Sequence, residues 1–108
     1  MEEISFEDWS KLDIRIGKVL KAEKVEGTDK LMKLEIDIGN EERQVVAGIA
    51  DVYKTEDLIG REIPILLNLK AKAIKGVESK GMILAVVVDE KAVLLHPEKE
   101  VPVGSKVR

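Results

Sequence analysis

Leu12-Asp13-Ile14-Arg15-Ile16-Gly17-Lys18-Val19-Leu20 alternates apolar with polar residues as far as Gly17, where the period breaks before Val19 and Leu20. A period of two places Leu12, Ile14 and Ile16 on one face of a strand, with Asp13 and Arg15 on the other. The glycine inside this run predicts a long strand that bends or bulges at Gly17.

Working outward, Leu31 to Ile38 is the clearest strand. Met32, Leu34, Ile36 and Ile38 share one side, and Lys33, Glu35 and Asp37 the other. Gly39-Asn40-Glu41 turns a hairpin into a third strand from Arg43 to Ile49. Towards the N-terminus, Ser5 stands three residues before Asp8 and caps a short helical turn carrying Phe6 and Trp9, both expected in the core. Thr55 to Gly60 has a capping threonine, acids in its first turn and a terminal glycine, and predicts a second short helix. Ile63, Ile65, Leu67 and Leu69 mark a fourth strand, with Pro64 tolerated near its start. Met82 to Val88 is an uninterrupted apolar run, expected to be a strand buried on both faces. Asp89 to Lys91 turns the chain into Ala92–Leu95, and the tail from Pro97 reads as short extended pieces.

Five main strands, the first long and glycine-bent, with a helix between the third and fourth, match an all-β class: the five-stranded Greek-key barrel called the OB-fold. Another small β-barrel or a β-sandwich is the alternative that strand count leaves open. At 108 residues the chain is a single domain. Its barrel core is expected over about 11–88 and a C-terminal extension over about 89–108. The extension carries Val93, Leu94, Leu95, Val101, Val103 and Val107, apolar enough to predict burial across the two-fold axis of a homodimer.

Composition excludes several functions. There is no cysteine, hence no disulfide, thiolate metal site or cysteine nucleophile. His96 is the lone histidine and, before Pro97 at a strand end, is read as a surface residue. No serine lies in a nucleophile elbow, and no glycine run forms a phosphate loop or dinucleotide fingerprint. The acids lack calcium-loop spacing. Neither catalysis, cofactor nor metal is expected. An acidic start and the lack of a long apolar run predict no signal peptide, no membrane partner and a cytoplasmic location.

The charge pattern points elsewhere. Lys70-Ala71-Lys72-Ala73-Ile74-Lys75-Gly76-Val77-Glu78-Ser79-Lys80 sets four lysines against one acid in a chain of net charge −3. An acidic protein repels a polyanion at long range, so a local cationic segment implies an anionic partner held at one place. The segment reads as a mobile loop able to follow a phosphate backbone, or else as a merely solvated loop. A second basic group, Lys11, Arg15, Lys18, Lys21 and Lys24, accompanies the first strand and reads as an exposed face with cross-strand pairs. Lys30, Lys33 and Arg43 join the basic loop if the barrel brings them beside it. With only Phe6, Trp9 and Tyr53 as aromatics, base-stacking capture of a single strand is disfavoured, and folded RNA read by backbone and shape fits better.

Several separated motifs occur in one order: Phe6-Glu7-Asp8-Trp9, Leu12 to Gly17, Ala22 to Leu31, Val45-Val46-Ala47-Gly48-Ile49, Asn68-Leu69-Lys70, Gly76 to Met82 and Val101 to Ser105. Together they resemble the tRNA-binding domain appended to methionyl-tRNA synthetases. That domain also occurs as stand-alone proteins and in the endothelial monocyte-activating polypeptide II cofactor of animal synthetases. The resemblance covers Ser5 to Arg108. It implies an OB-fold with a C-terminal extension, a homodimer, tRNA as partner, and a role as accessory factor or β-type subunit of methionyl-tRNA synthetase or another synthetase. Carried over motif by motif, it implies RNA contacts at Lys30, Arg43, Asn68, Lys70, Ser79 and Met82. The lysine-rich pattern adds Lys33, Lys72, Lys75 and Lys80. A sister group of the same fold, a peptide-binding protein-export chaperone of bacteria, shares Asp13 to Gly17 and Leu94 to Pro97. The Asp29-Lys30-Leu31, Val45 to Ile49 and Gly76 to Met82 segments favour the tRNA branch.

Overall fold

Gly17 sits where a side chain has no room. A Cβ there would lie 2.5 Å from Ile36 Cγ2 and 2.7 Å from Ile65 Cδ1, so the two neighbouring strands close over the glycine. The computed structural model describes residues 1–108. Helix α1 (Phe6–Ser10) leads into β1 (Ile14–Lys24), β2 (Met32–Asp37) and β3 (Glu42–Ala47). Helix α2 (Thr55–Leu58) precedes β4 (Glu62–Leu66), β5 (Lys72–Ile74), β6 (Val77–Ser79) and β7 (Met82–Ile83). The chain ends with β8 (Ala85–Val88), β9 (Lys91–Leu94) and β10 (Lys106–Val107).

The main sheet runs β3-β2-β1-β4-β7, antiparallel throughout, and curls into a nearly closed barrel of the expected OB-like, all-β kind. The long β1 makes the curl possible. Its first part, Ile14 to Lys18, pairs with β4, and its second, Lys18 to Lys24, pairs with β2. The register shift falls between Val19 and Lys21, at exposed Leu20, rather than at Gly17. Glycine supplies the close approach and Leu20 the bulge. The alternation of β2 is realised as read: Met32, Leu34 and Ile36 are completely buried beside Val19, Val45, Ile63 and Ile65.

Five further expectations change. The Met82–Val88 run is not one strand buried on both faces. Leu84 N donates to Pro64 O, but Pro64 has no N–H to return, so the β4–β7 ladder stops there. Ala85 onward pairs instead with β9, and Val86, Val87 and Val88 are exposed. The second correction concerns Phe6, 80% exposed, and Trp9, 37% exposed, which lie outside the core although Ser5 Oγ caps α1 by accepting from Asp8 N at 3.0 Å. The helix is too short to bring its apolar side down onto the barrel. Third, Thr55 opens α2 instead of capping it. Its hydroxyl donates to the Glu56 carboxylate at 3.1 Å.

Fourth, the basic 70–80 stretch is a β5–β6 hairpin rather than a mobile loop. Lastly, the tail is folded onto its own barrel. β10 lies beside β1, and Gly104 N donates to Ile16 O at 2.7 Å while Ile16 N donates to Ser105 O at 2.9 Å. Val101, Val103 and Val107 are therefore half-buried within one chain. No helix is long and apolar enough to cross a membrane.

Candidate nucleic-acid interface

Ile74 pairs with Val77 across a two-residue turn in which Lys75 and Gly76 have φ of 51° and 79°. Positive φ at both centres is the primed turn that matches strand twist, and it puts Lys75 at the tip of the hairpin. Gly76 adopts that backbone freely, while Lys75 is held in it. The hairpin is anchored by three bonds to β3 and one within its own exit segment. Lys80 N donates to Gln44 O (2.9 Å), Gln44 Nε2 to Glu78 O (2.8 Å), Val46 N to Ser79 Oγ (3.0 Å), and Ser79 Oγ to Gly81 O (3.0 Å). Ser79 is thus a buried fastening, with its hydroxyl engaged as both acceptor and donor.

Arg43 and Asn68 are likewise engaged with the main chain. Arg43 occupies the inward parity of β3 with Val45 and Ala47, opposite Ile36 at the barrel end. Its Nη1 donates to Leu67 O at 2.6 Å and to Lys80 O at 3.2 Å, and its Nε to the Glu41 carboxylate at 2.6 Å. Asn68 accepts from Asp13 N at 2.8 Å and donates to Lys11 O at 2.6 Å, strapping the entry segment to the end of β4.

The lysines divide into two sets. Lys33 is paired with Glu23 at 2.5 Å and Lys80 with Glu78 at 3.7 Å. The Lys33 ammonium, by hydrogen bond and by charge, holds the Glu23 carboxyl below its ordinary range. Lys30, Lys70, Lys72 and Lys75 are exposed and make no ion pair. Lys70, Lys72, Ser79 and Met82 converge on one cleft of about 450 Å³ beside the hairpin. Lys33 is the cross-strand partner of Val46, which lines that cleft, so it adjoins the same face. Lys30 lies beyond the other end of the β2–β3 ladder from Arg43, where its carbonyl accepts from Ala50 N. Leu69, Ile74 and Val46 complete the cleft and were not legible as site residues. Exposed Leu69, between Asn68 and Lys70, was the available signal.

Two basic residues of the first strand are paired, Arg15 with Asp13 at 2.9 Å and Lys18 with Glu100 at 4.0 Å, while Lys21 and Lys24 make no ion pair. His96 is on the surface. Its Nδ1 faces Glu62 O at 3.0 Å and its Nε2 faces Arg61 Nη1 at 3.1 Å.

Residues 14–106 match the family model described as "Putative tRNA binding domain". Over 98% of its length the chain is 61% identical to the methionine–tRNA ligase of Archaeoglobus fulgidus, spanning 16% of that protein. It thus covers about one sixth of the relatives that it matches. Among solved structures, the methionyl-tRNA synthetase related protein of Pyrococcus horikoshii superposes with a TM-score of 0.93 at 42% identity, covering both chains fully. The chaperone CsaA of Bacillus anthracis gives 0.91 at 37% identity over 99% of this chain and 100% of that one. The C-terminal domain of Plasmodium vivax p43 gives 0.80 at 33% identity over 88% of this chain and 58% of the other. With 93 of its 108 residues inside the family model and its barrel shared with these structures, the chain belongs to the tRNA-binding domain family of the methionyl-tRNA synthetases.

Proposed function

We propose that this chain is a non-catalytic module that binds folded tRNA by shape and backbone, working in the cytoplasm as an accessory factor or β-type subunit of methionyl-tRNA synthetase. The carrying observation is the anchored β5–β6 hairpin with its neighbour Lys70: three unpaired lysines, Lys70, Lys72 and Lys75, on one edge of a protein of net charge −3. Unpaired cations on a rigid support neutralise phosphates without first breaking an internal ion pair. Lys30, Lys33 and Lys80 extend the footprint, and Met82 adds an apolar contact. Arg43, Asn68 and Ser79 serve by positioning this platform, since their polar groups hold main chain.

Binding is tested by fluorescence anisotropy with several unrelated tRNAs across a salt series. The expected result is similar affinity for all, with log affinity falling by about 0.7–0.9 per phosphate neutralised against log salt. Lys70→Ala combined with Lys75→Ala weakens every tRNA alike and flattens the slope by about 1–2. Salt-insensitive binding, or preference for an unstructured oligonucleotide, overturns the reading.

The module acts as a homodimer in this proposal. Exposed Phe6 and Leu12 at the entry corner, and Val86, Val88 and Val93 on the outer side of β8–β9, offer apolar surface to a second copy. Two hairpins on one tRNA raise apparent affinity through effective concentration. A chain that sediments as a monomer at micromolar concentration and still binds tRNA tightly removes the dimer.

A second reading, peptide binding, draws support from the likeness to CsaA, described as a chaperone. Competition decides between them: peptide that displaces tRNA at equal concentration favours the chaperone reading.

A further inference from the structure

The cleft beside the hairpin combines two chemistries that a backbone-only RNA contact does not use together. Its walls are Val46, Leu69, Ile74 and Met82, and its rim carries Lys70 and Lys72. At about 450 Å³ it falls within the range of small-ligand sites, roughly 300–1,000 Å³. Met82 is 55% and Leu69 45% exposed, so two large apolar side chains on a highly charged surface face solvent at the mouth. The floor is fixed from below, because Val46 N and Gly81 O are both tied to Ser79 Oγ. Nothing in the chain enters it, and neither rim lysine has an acidic partner.

A flat, weakly polar group flanked by negative charge matches this arrangement. Resting on the proposed tRNA function, we propose that the cleft receives one unstacked nucleobase of the bound RNA, with Lys70 and Lys72 holding the phosphates on either side. A base sandwiched by Leu69, Ile74 and Met82 gains apolar contact without any aromatic residue, the polarizable thioether taking the place that stacking rings fill in single-strand binders. Phe6, Trp9 and Tyr53 are absent from this cleft. Such a site selects folded RNA with an extruded nucleotide over a continuous duplex, in which every base is stacked and its deep groove is closed to side chains.

The probes are a blunt RNA duplex, the same duplex with one bulged 2-aminopurine, and a tRNA transcript, each titrated with the full chain. The expected result is about tenfold tighter binding of the bulged duplex than of the blunt one, in keeping with the worth of one base contact, together with a change in 2-aminopurine fluorescence. Met82→Ala and Leu69→Ala, both at exposed side chains, abolish that preference and the fluorescence change, yet keep the salt slope. Equal binding of both duplexes with tRNA binding intact overturns the base site and leaves the tRNA function standing. Loss of binding to all three RNAs overturns both. An acidic aromatic peptide that binds in a Met82-dependent way while the bulged RNA does not also overturns it, assigning the cleft to peptide.

Discussion

Arg43 Nη1 lies 2.6 Å from the carbonyl oxygen of Leu67, so a guanidinium on β3 is bound to the main chain at the end of β4, 24 residues away. The same nitrogen reaches Lys80 O at 3.2 Å, just before β7. β3 and β7 are the two ends of the main sheet, and this side chain fastens the opening between them. Arg43→Met is expected to lower unfolding free energy by about 1.5–3 kcal/mol, the range for hydrogen bonds to a charged group. Chemical denaturation measures it. The salt slope of tRNA binding stays unchanged in the folded variant, whereas a direct phosphate contact would lower it by about 1.

Lys75 separates folding from binding. Its φ of 51° is unfavourable for an L side chain, and asparagine tolerates that conformation better. Lys75→Asn is expected to raise stability by about 0.5–1 kcal/mol and to weaken tRNA at low salt. Thermal melts and anisotropy should move in opposite senses. A parallel loss of both means that the lysine side chain packs instead of projecting.

Glu23 restrains Lys33. Glu23→Gln releases the ammonium for a phosphate and is expected to tighten tRNA binding about twofold at low salt, with a slightly steeper salt slope. Because Lys33 depresses the Glu23 carboxyl, the pair's contribution to stability is present above the ordinary carboxylate value of 4.5. It is lost as pH falls through the lower folded value. The wild type should therefore lose slightly more stability than Glu23→Gln on acidification below pH 4.5. Identical pH profiles mean that the pair is open in solution.

Gly17 admits no larger side chain without movement of Ile36 and Ile65. Gly17→Ala is expected to destabilise the barrel by about 1–3 kcal/mol through overpacking. Ile65→Val in the same chain, which removes the Cδ1 lying 2.7 Å from the new methyl, should recover part of the loss. Additive losses in the double variant mean that the clash lies elsewhere.

The amino-acid sequence alone determined the features that depend on near neighbours. Alternation in Met32–Asp37 is a statement about two faces of one strand, and burial follows it residue by residue. The Ser5 cap closes over three residues, and the lysine cluster at 70–80 is a charge density that needs no fold to be recognised. The order of separated motifs then carried the family.

Only the tertiary structure decided which distant main-chain groups Arg43, Asn68 and Ser79 hold, because Leu67, Lys11 and Val46 lie 24 to 57 residues from them and nothing local marks those pairings. A polar side chain near a basic segment looks the same in sequence whether it faces solvent or satisfies a buried carbonyl. The division of Met82–Val88 turned on Pro64, whose missing N–H matters only to the strand that comes to lie beside it. Phe6 and Trp9 remained outside because the five-residue helix that carries them is too short to bring its apolar side down onto the barrel. In each case the outcome belongs to a contact between distant segments, and the free energy of that contact is set by geometry that no single stretch of chain contains.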